Sequence, residues 1–250
     1  MTQVDSLYQQ GEYAEATEIA KVALARAEEE FGQSDRSVEY WLGSLVLLYS
    51  TQGKYALIEP LYTRLLAMRE KRLGSDDPLV ADSLLSLGYY YYHEGKYAEA
   101  EPLYRRSLAI RQKALGYEHP DVVDVHDALG AVYVALGRYA EALPHLVDEL
   151  SIQAKQYGPD HRKVAVAVHR LASLYDILGR YESAEALYER LLHIEEKRFG
   201  PDHLGVAAVL ADYAVLLRKS GQIQKAEAME ERVKSIRSKL EDTSSTTVHP

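Results

Sequence analysis

The sequence predicts an all-α solenoid of about six antiparallel helix pairs, and two recurring markers carry that expectation. Gly95-Lys96-Tyr97-Ala98 returns as Gly53-Lys54-Tyr55-Ala56, Gly137-Arg138-Tyr139-Ala140 and Gly179-Arg180-Tyr181-Glu182. Weaker copies stand at Gly11-Glu12-Tyr13-Ala14 and Gly221-Gln222-Ile223-Gln224. The second marker is Phe31-Gly32, Leu73-Gly74, Leu115-Gly116, Tyr157-Gly158 and Phe199-Gly200. Both markers step by 42 residues and stay in phase. A period of roughly 20–50 residues marks stacked repeats, each burying its apolar face on its neighbours, rather than a globular enzyme core.

The units fall at about 1–38, 39–80, 81–122, 123–164, 165–206 and 207–240, read together as one repeat domain over 1–240. Only about ten residues precede Gly11 where other units have about fourteen, so the first helix is expected to be stunted or the chain cut from a longer one. In the later first helices, apolar residues precede the marker glycine at helical spacing: Leu42, Leu45, Tyr49; Leu84, Leu87, Tyr91; Leu129, Tyr133; Leu171, Tyr175; Leu210, Tyr213, Leu217. A small residue, Gly88, Gly130 or Ala172, shares that face and marks a close approach. Gly95 ends its helix as a residue free to take positive φ. The second helix runs from about Tyr97 to Ala114, with Ala100, Tyr104, Ser107 and Leu108 inward and Pro102 within the first turn or so. Ala16, Ala142, Ala184 and Ala226 repeat the small residue of Ala100, and Ile58 is the exception. The last second helix, about Gln224 to Leu240, is rich in Lys, Arg and Glu, as a solvent-facing terminal cap requires. Residues 241–250 lack apolar periodicity and read as a disordered tail.

Composition narrows the function classes. The absence of cysteine excludes disulfides, thiolate metal sites and cysteine nucleophiles. A net charge of -9 argues against a duplex nucleic-acid binder, which needs a basic stripe. No apolar run is long enough to span a bilayer and the first residues carry no signal-peptide pattern, so no membrane association is expected and the cytoplasm is the expected compartment. The charge is uneven: residues 1–38 carry eight acids against Lys21, Arg26 and Arg36, and residues 207–240 carry seven bases against four acids.

Residues able to carry chemistry sit in phase with the repeat. His119, His161 and His203 recur at the 42-residue step after the second-marker glycines, which makes them turn and cap residues. His126 shares the phase of Leu84 and Val168 and reads as a core histidine. Asp76 and Asp77 lie in a connecting loop as caps. No metal-binding, phosphate-cradling or nucleophile-elbow motif occurs, so no catalytic residue, metal or cofactor is expected.

The small-residue, Gly-Lys-Tyr and Ala markers in paired helices resemble tetratricopeptide repeats. The 42-residue unit, with Ala-Glu-Pro-Leu-Tyr-Arg-Arg-Ser-Leu-Ala-Ile-Arg-Gln-Lys-Ala-Leu-Gly-Tyr-Glu-His-Pro at 100–120, is similar to the kinesin light chain type. The resemblance covers residues 1–240. It implies a right-handed superhelix whose first helices line a concave groove for extended peptides, and no catalysis. Kinesin light chain repeats carry groove asparagines near the positions of Leu85 and Ser86, and this sequence contains no asparagine. The fold therefore carries over and the ligand does not.

Within that groove the expected contacts are Tyr40, Asp82, Tyr89, Tyr92, Asp124, Asp127, His169, Arg170, Asp176, Arg218 and Lys219. Tyr89 and Tyr92 lie opposite the core face, and tyrosine offers apolar area with a hydroxyl at low entropy cost. The expected function is a protein-interaction scaffold that binds an extended partner segment. The alternative is a self-assembling module joined head to tail through its oppositely charged ends, giving a weak, salt-sensitive homo-oligomer.

Overall fold

The computed structural model describes residues 2–246. Among the described residues there are helices and turns but no strand, as an all-α repeat solenoid requires. The helices are α1 (Gln3–Gln9), α2 (Tyr13–Phe31), α3 (Arg36–Thr51), α4 (Glu59–Leu73), α5 (Pro78–His93) and α6 (Tyr97–Leu115). They continue as α7 (Pro120–Ala135), α8 (Tyr139–Tyr157), α9 (Arg162–Ile177), α10 (Tyr181–Phe199), α11 (Leu204–Lys219) and α12 (Ile223–Thr246). The chain divides into two compact units, residues 1–132 and 133–250, with the boundary inside α7. Each is described by itself.

The turn chemistry explains the period. At the end of α5 the Lys96 N–H donates to the Tyr91 carbonyl at 2.8 Å while Gly95 takes φ +73°, the left-handed close that glycine alone adopts without strain. The next helix then starts at once. Each odd-numbered helix from α3 on opens on a side-chain cap. Asp35 and Asp77 accept from the N–H of Ser37 and Leu79, both at 2.8 Å. In later repeats histidine takes that place: Nδ1 of His119, His161 and His203 accepts from the N–H of Asp121, Lys163 and Gly205 at 3.2, 3.2 and 3.0 Å. His161 and His203 also stack on Tyr157 and Phe199, with ring centroids 4.7 and 4.5 Å apart. His203→Ala is therefore expected to cost about 0.5–2 kcal/mol in thermal unfolding, and His203→Asp to recover most of it.

In the first unit Val4, Ala16, Ala20, Leu45, Leu48, Tyr49 and Ile58 form one buried cluster, and Val80, Ala81, Leu84 and Ile110 another. Tyr104 of α6 is fully buried and lies against Gly88 of α5, where a side chain's Cβ would stand 2.3 Å from a Tyr104 ring carbon. The close approach expected at Gly88 is thus made by an aromatic ring. In the second unit Val164, Val168, Ala172, Ala184, Tyr188, Leu191, Ile194, Tyr213 and Leu217 share a core, closed by Val206, Leu210, Val233 and Ile236 against α12. Loop acids tie to lysines of the following second helix at one phase: Asp76–Lys113 (2.6 Å), Asp160–Lys197, and Asp202–Lys239 (2.8 Å). Exposed pairs of this kind are worth about 0–1 kcal/mol each, so they order the loops more than they stabilise the core.

Three local expectations change. The backbone stays helical through Thr246, beyond the point where the tail was placed, because neither glycine nor proline interrupts Glu241–Thr246; residues 247–250 of that tail lie outside the described residues. Pro102 lies inside α6, past its first turn. The second helix of the second repeat does not start at Tyr55: a 3₁₀ turn occupies Tyr55–Leu57 and α4 starts at Glu59, with Pro60 at its N-terminus. Ile58 stands where the other repeats have alanine, and it is 2 % exposed. A branched side chain at that crossing needs more room than a methyl, and the irregular start of α4 falls at this residue.

Candidate functional site

Beside the irregular start of α4 lies a cavity of about 580 Å³ in the first unit. One wall comes from Ser50 of α3, Tyr55 of the 3₁₀ turn, and Ile58 and Tyr62 at and just inside the start of α4. The other comes from α5: Ser86, Tyr89, Tyr90 and His93, with Glu94 just past the helix end. Tyr55 and Tyr89 are exposed at 53 % and 38 %, while Tyr62 and Tyr90 pack into the adjoining core with ring centroids 6.4 Å apart. Burial pushes both of their hydroxyls above the ordinary tyrosine value, helped at Tyr90 by the Glu94 and Glu59 carboxylates. Behind this wall Tyr91 donates to Glu59 at 3.0 Å, and Lys96 pairs with the same carboxylate at 3.4 Å while lying over the Tyr91 and Tyr90 rings.

Of the expected groove residues in this unit, Tyr89 lines the cavity. Tyr92 does not: it packs against Tyr97 (centroids 5.3 Å) and His93 (5.7 Å). At about 100° per residue, Tyr92 is turned some 60° from Tyr89 in the opposite sense to Ser86, Tyr90 and His93. Two tyrosines of similar exposure in sequence thus serve different neighbours. Tyr40 is 47 % exposed on α3 and meets Trp41 edge-on at 4.9 Å, away from the cavity lining. Asp82 is half-exposed, yet its carboxylate accepts from the buried Arg111 at 2.7 Å, so it holds α6 against α5. Asp124 is exposed and Asp127 partly buried on α7, and neither lines the cavity. His126 is a core residue, 2 % exposed and edge-on to Tyr117.

In the second unit the expected contacts are engaged by the protein itself. His169 of α9 bonds Asp212 of α11 at 3.2 Å, and Lys219 of α11 reaches back to Asp176 of α9 at 2.6 Å. Both links join positions 43 apart, one repeat plus one residue, and so rivet successive first helices. Arg218 turns to α12 and holds Glu230 through two bonds of 2.7 and 2.8 Å; Arg170 lies 3.4 Å from the buried Glu149. The bases foreseen as a landing surface for acidic residues are therefore largely neutralised in place. The Arg218–Glu230 pair is exposed, and Arg218→Ala is expected to change stability by less than about 1 kcal/mol in denaturant unfolding. A recess of about 310 Å³ beside His169 and Asp212 also takes in Val166, Arg198 and Phe199.

Sequence reasoning missed Tyr55, Tyr62, Tyr90, His93 and Glu94. Tyr55 was hidden by its role as a repeat marker, and the available signal was Ile58, the one break in the small-residue row. Among the described residues no helix is long and apolar enough to cross a membrane, and no group of three or more His, Asp or Glu is placed to hold a metal ion.

Paired helices of fixed period, glycine-closed and stacked on small residues, define a helical-repeat scaffold. Tetratricopeptide repeat profiles match residues 37–113, 79–152, 121–197 and 164–239, and a second such profile matches 5–37; the chain belongs to the tetratricopeptide repeat family. A comparison with curated protein sequences finds no match at a significant level. Among solved structures, the chain is similar to nearly identical TPR-like repeats ascribed to a kinesin light chain of Podosopora anserina: 28% identity over 80% of this chain and 94% of that one, TM-score 0.71. It also shares its fold with BtubC (BKLC) from P. vanneervenii, at 21% identity over 100% and 95% of the two chains, TM-score 0.72. The fold likewise matches YrrB, described as a TPR protein with an unusual peptide-binding site, at 18% identity over 86% and 92%, TM-score 0.60. Tetratricopeptide repeats are scaffolds that commonly mediate protein–protein or peptide binding.

Proposed function

We propose that this protein is a non-catalytic, protein-binding scaffold that holds an extended partner segment along the exposed face of its first helices, anchored in the tyrosine-lined cavity of the first unit. The observation that carries the reading is the cavity itself. It opens where the repeat departs from its own pattern at Ile58, and exposed Tyr55 and Tyr89 flank it. Aromatic side chains with one polar end and little entropy to lose are the usual anchors of such interfaces. Within the second unit, the first helices are cross-linked by His169–Asp212 and Asp176–Lys219, so their polar side chains are engaged by the protein itself and offer no comparable anchor. Six of the seven bases that motivated head-to-tail assembly are taken up internally: Arg218, Lys219, Lys225, Arg232, Lys234 and Lys239 each pair with an acid of their own unit. Nothing favours that alternative over the scaffold.

Peptides selected from a random library against the whole protein test this reading. Those that bind are expected to lose affinity for Tyr55→Ala, and to keep it for Arg105→Ala, whose side chain is 68% exposed on a second helix. Equal losses for both variants, or none for either, would place the partner elsewhere.

A further inference from the structure

We infer that the cavity between α3, α4 and α5 takes an arginine side chain of the bound segment. This rests on the scaffold reading above and names the chemistry of its anchor. Four tyrosines, Tyr55, Tyr62, Tyr89 and Tyr90, contribute to the lining, and the negative faces of aromatic rings attract a cation. Besides the tyrosine hydroxyls and the His93 ring, which can donate or accept, the polar atoms around them are acceptors. Ser50 already donates its hydroxyl to the Val46 carbonyl at 2.8 Å and Ser86 to that of Asp82 at 2.9 Å, which leaves oxygen lone pairs toward the cavity. Glu94 adds a carboxylate at the cavity edge, where it acts on Tyr90 and attracts the Lys96 ammonium without a direct ion pair. No Lys or Arg is among the lining residues; nearby Lys96 pairs with Glu59 and lies over the Tyr90 ring, which leaves Tyr55 and Tyr62 as ring faces with no cation over them among the described residues.

A site of ring faces, acceptor oxygens and a carboxylate held in no direct ion pair complements a donor that is flat, cationic and weakly hydrated. A guanidinium meets all three requirements: it stacks on rings, carries five N–H donors and sheds water more readily than an ammonium. An aromatic anchor would fill the same volume, but it would give Glu94 no direct ion pair and the serine lone pairs no donors. The cavity's size and openness to solvent suit a long side chain entering from an extended backbone.

The test uses single-residue probes on the full-length, ¹⁵N-labelled protein: N-acetyl-arginine amide, N-acetyl-citrulline amide, which has the same shape without the charge, and N-acetyl-phenylalanine amide. The arginine probe is expected to shift the amide resonances of Tyr89, Tyr90 and Glu94 saturably. Citrulline and phenylalanine should bind at least about tenfold more weakly, the size expected for losing a partly desolvated cation–π contact and an ion pair. Glu94→Gln should weaken the arginine probe about fivefold and leave the phenylalanine probe unchanged. Citrulline or phenylalanine binding as tightly as arginine, or arginine shifts falling away from α3–α5, would overturn the assignment. Because the probes are single residues, arginine capture without binding of any extended segment would overturn the scaffold reading alone.

Discussion

Gly88→Ala is expected to destabilise the protein by about 1–3 kcal/mol, the usual range for overpacking a filled core. The sign is the informative part. In a helix interior, replacing glycine by alanine ordinarily stabilises by up to about 1 kcal/mol through backbone entropy. Here the added methyl would stand 2.3 Å from a carbon of Tyr104, and Tyr104 is fully buried, so its ring has no free space to enter. The clash should therefore overcome the propensity gain. Tyr104→Leu alone should cost a few kcal/mol, at about the scale of large-to-small core changes. Paired with Gly88→Ala it should cost less than the sum, because the two residues share one volume. Thermal and denaturant unfolding of the two single variants and the double variant check this. Additive losses would mean that the ring and the glycine do not compete for space.

Tyr89→Ala is expected to weaken partner binding by about 1–3 kcal/mol, a loss of roughly five- to 150-fold in affinity. It will not be silent in stability, since the Tyr89 ring meets that of Tyr104 edge-on with centroids 5.6 Å apart, a contact worth about 0.5–1.5 kcal/mol. Tyr55→Ala separates the two effects. Tyr55 is 53 % exposed in a 3₁₀ turn, so its loss should lower affinity while leaving the unfolding midpoint nearly unchanged. Tyr92→Ala should leave affinity unchanged, because its ring packs on Tyr97 and not in the cavity. Isothermal calorimetry with a selected peptide measures all three.

What was legible in the sequence was whatever repeats. Glycine closures, helix caps and small residues at crossings recur every 42 residues, so each copy checks the others and the histidine caps are legible from their phase alone. The candidate site was legible only in part. Tyr89 was found because it opposes the core face, but periodicity resolves a helix face to no better than about 60°, which left Tyr92 indistinguishable from it. Charge pairing was invisible for a different reason: Asp176 with Lys219 and Arg218 with Glu230 depend on which neighbouring helix a long side chain reaches. The cavity lies beside a break in the pattern, Ile58, and the 3₁₀ turn that precedes α4 there is something no periodic signal reports.

Hydroxyl-radical footprinting of the protein with and without a saturating selected peptide tests the scaffold account most directly, since solvent-exposed tyrosines can be followed residue by residue. Exposed Tyr55 and Tyr89 are expected to become protected on binding, while Tyr117 and Tyr157, 47 % and 37 % exposed and outside the cavity, should stay reactive. Protection at Tyr117 or Tyr157 with Tyr55 and Tyr89 unchanged would contradict it, placing the partner away from the tyrosine-lined cavity.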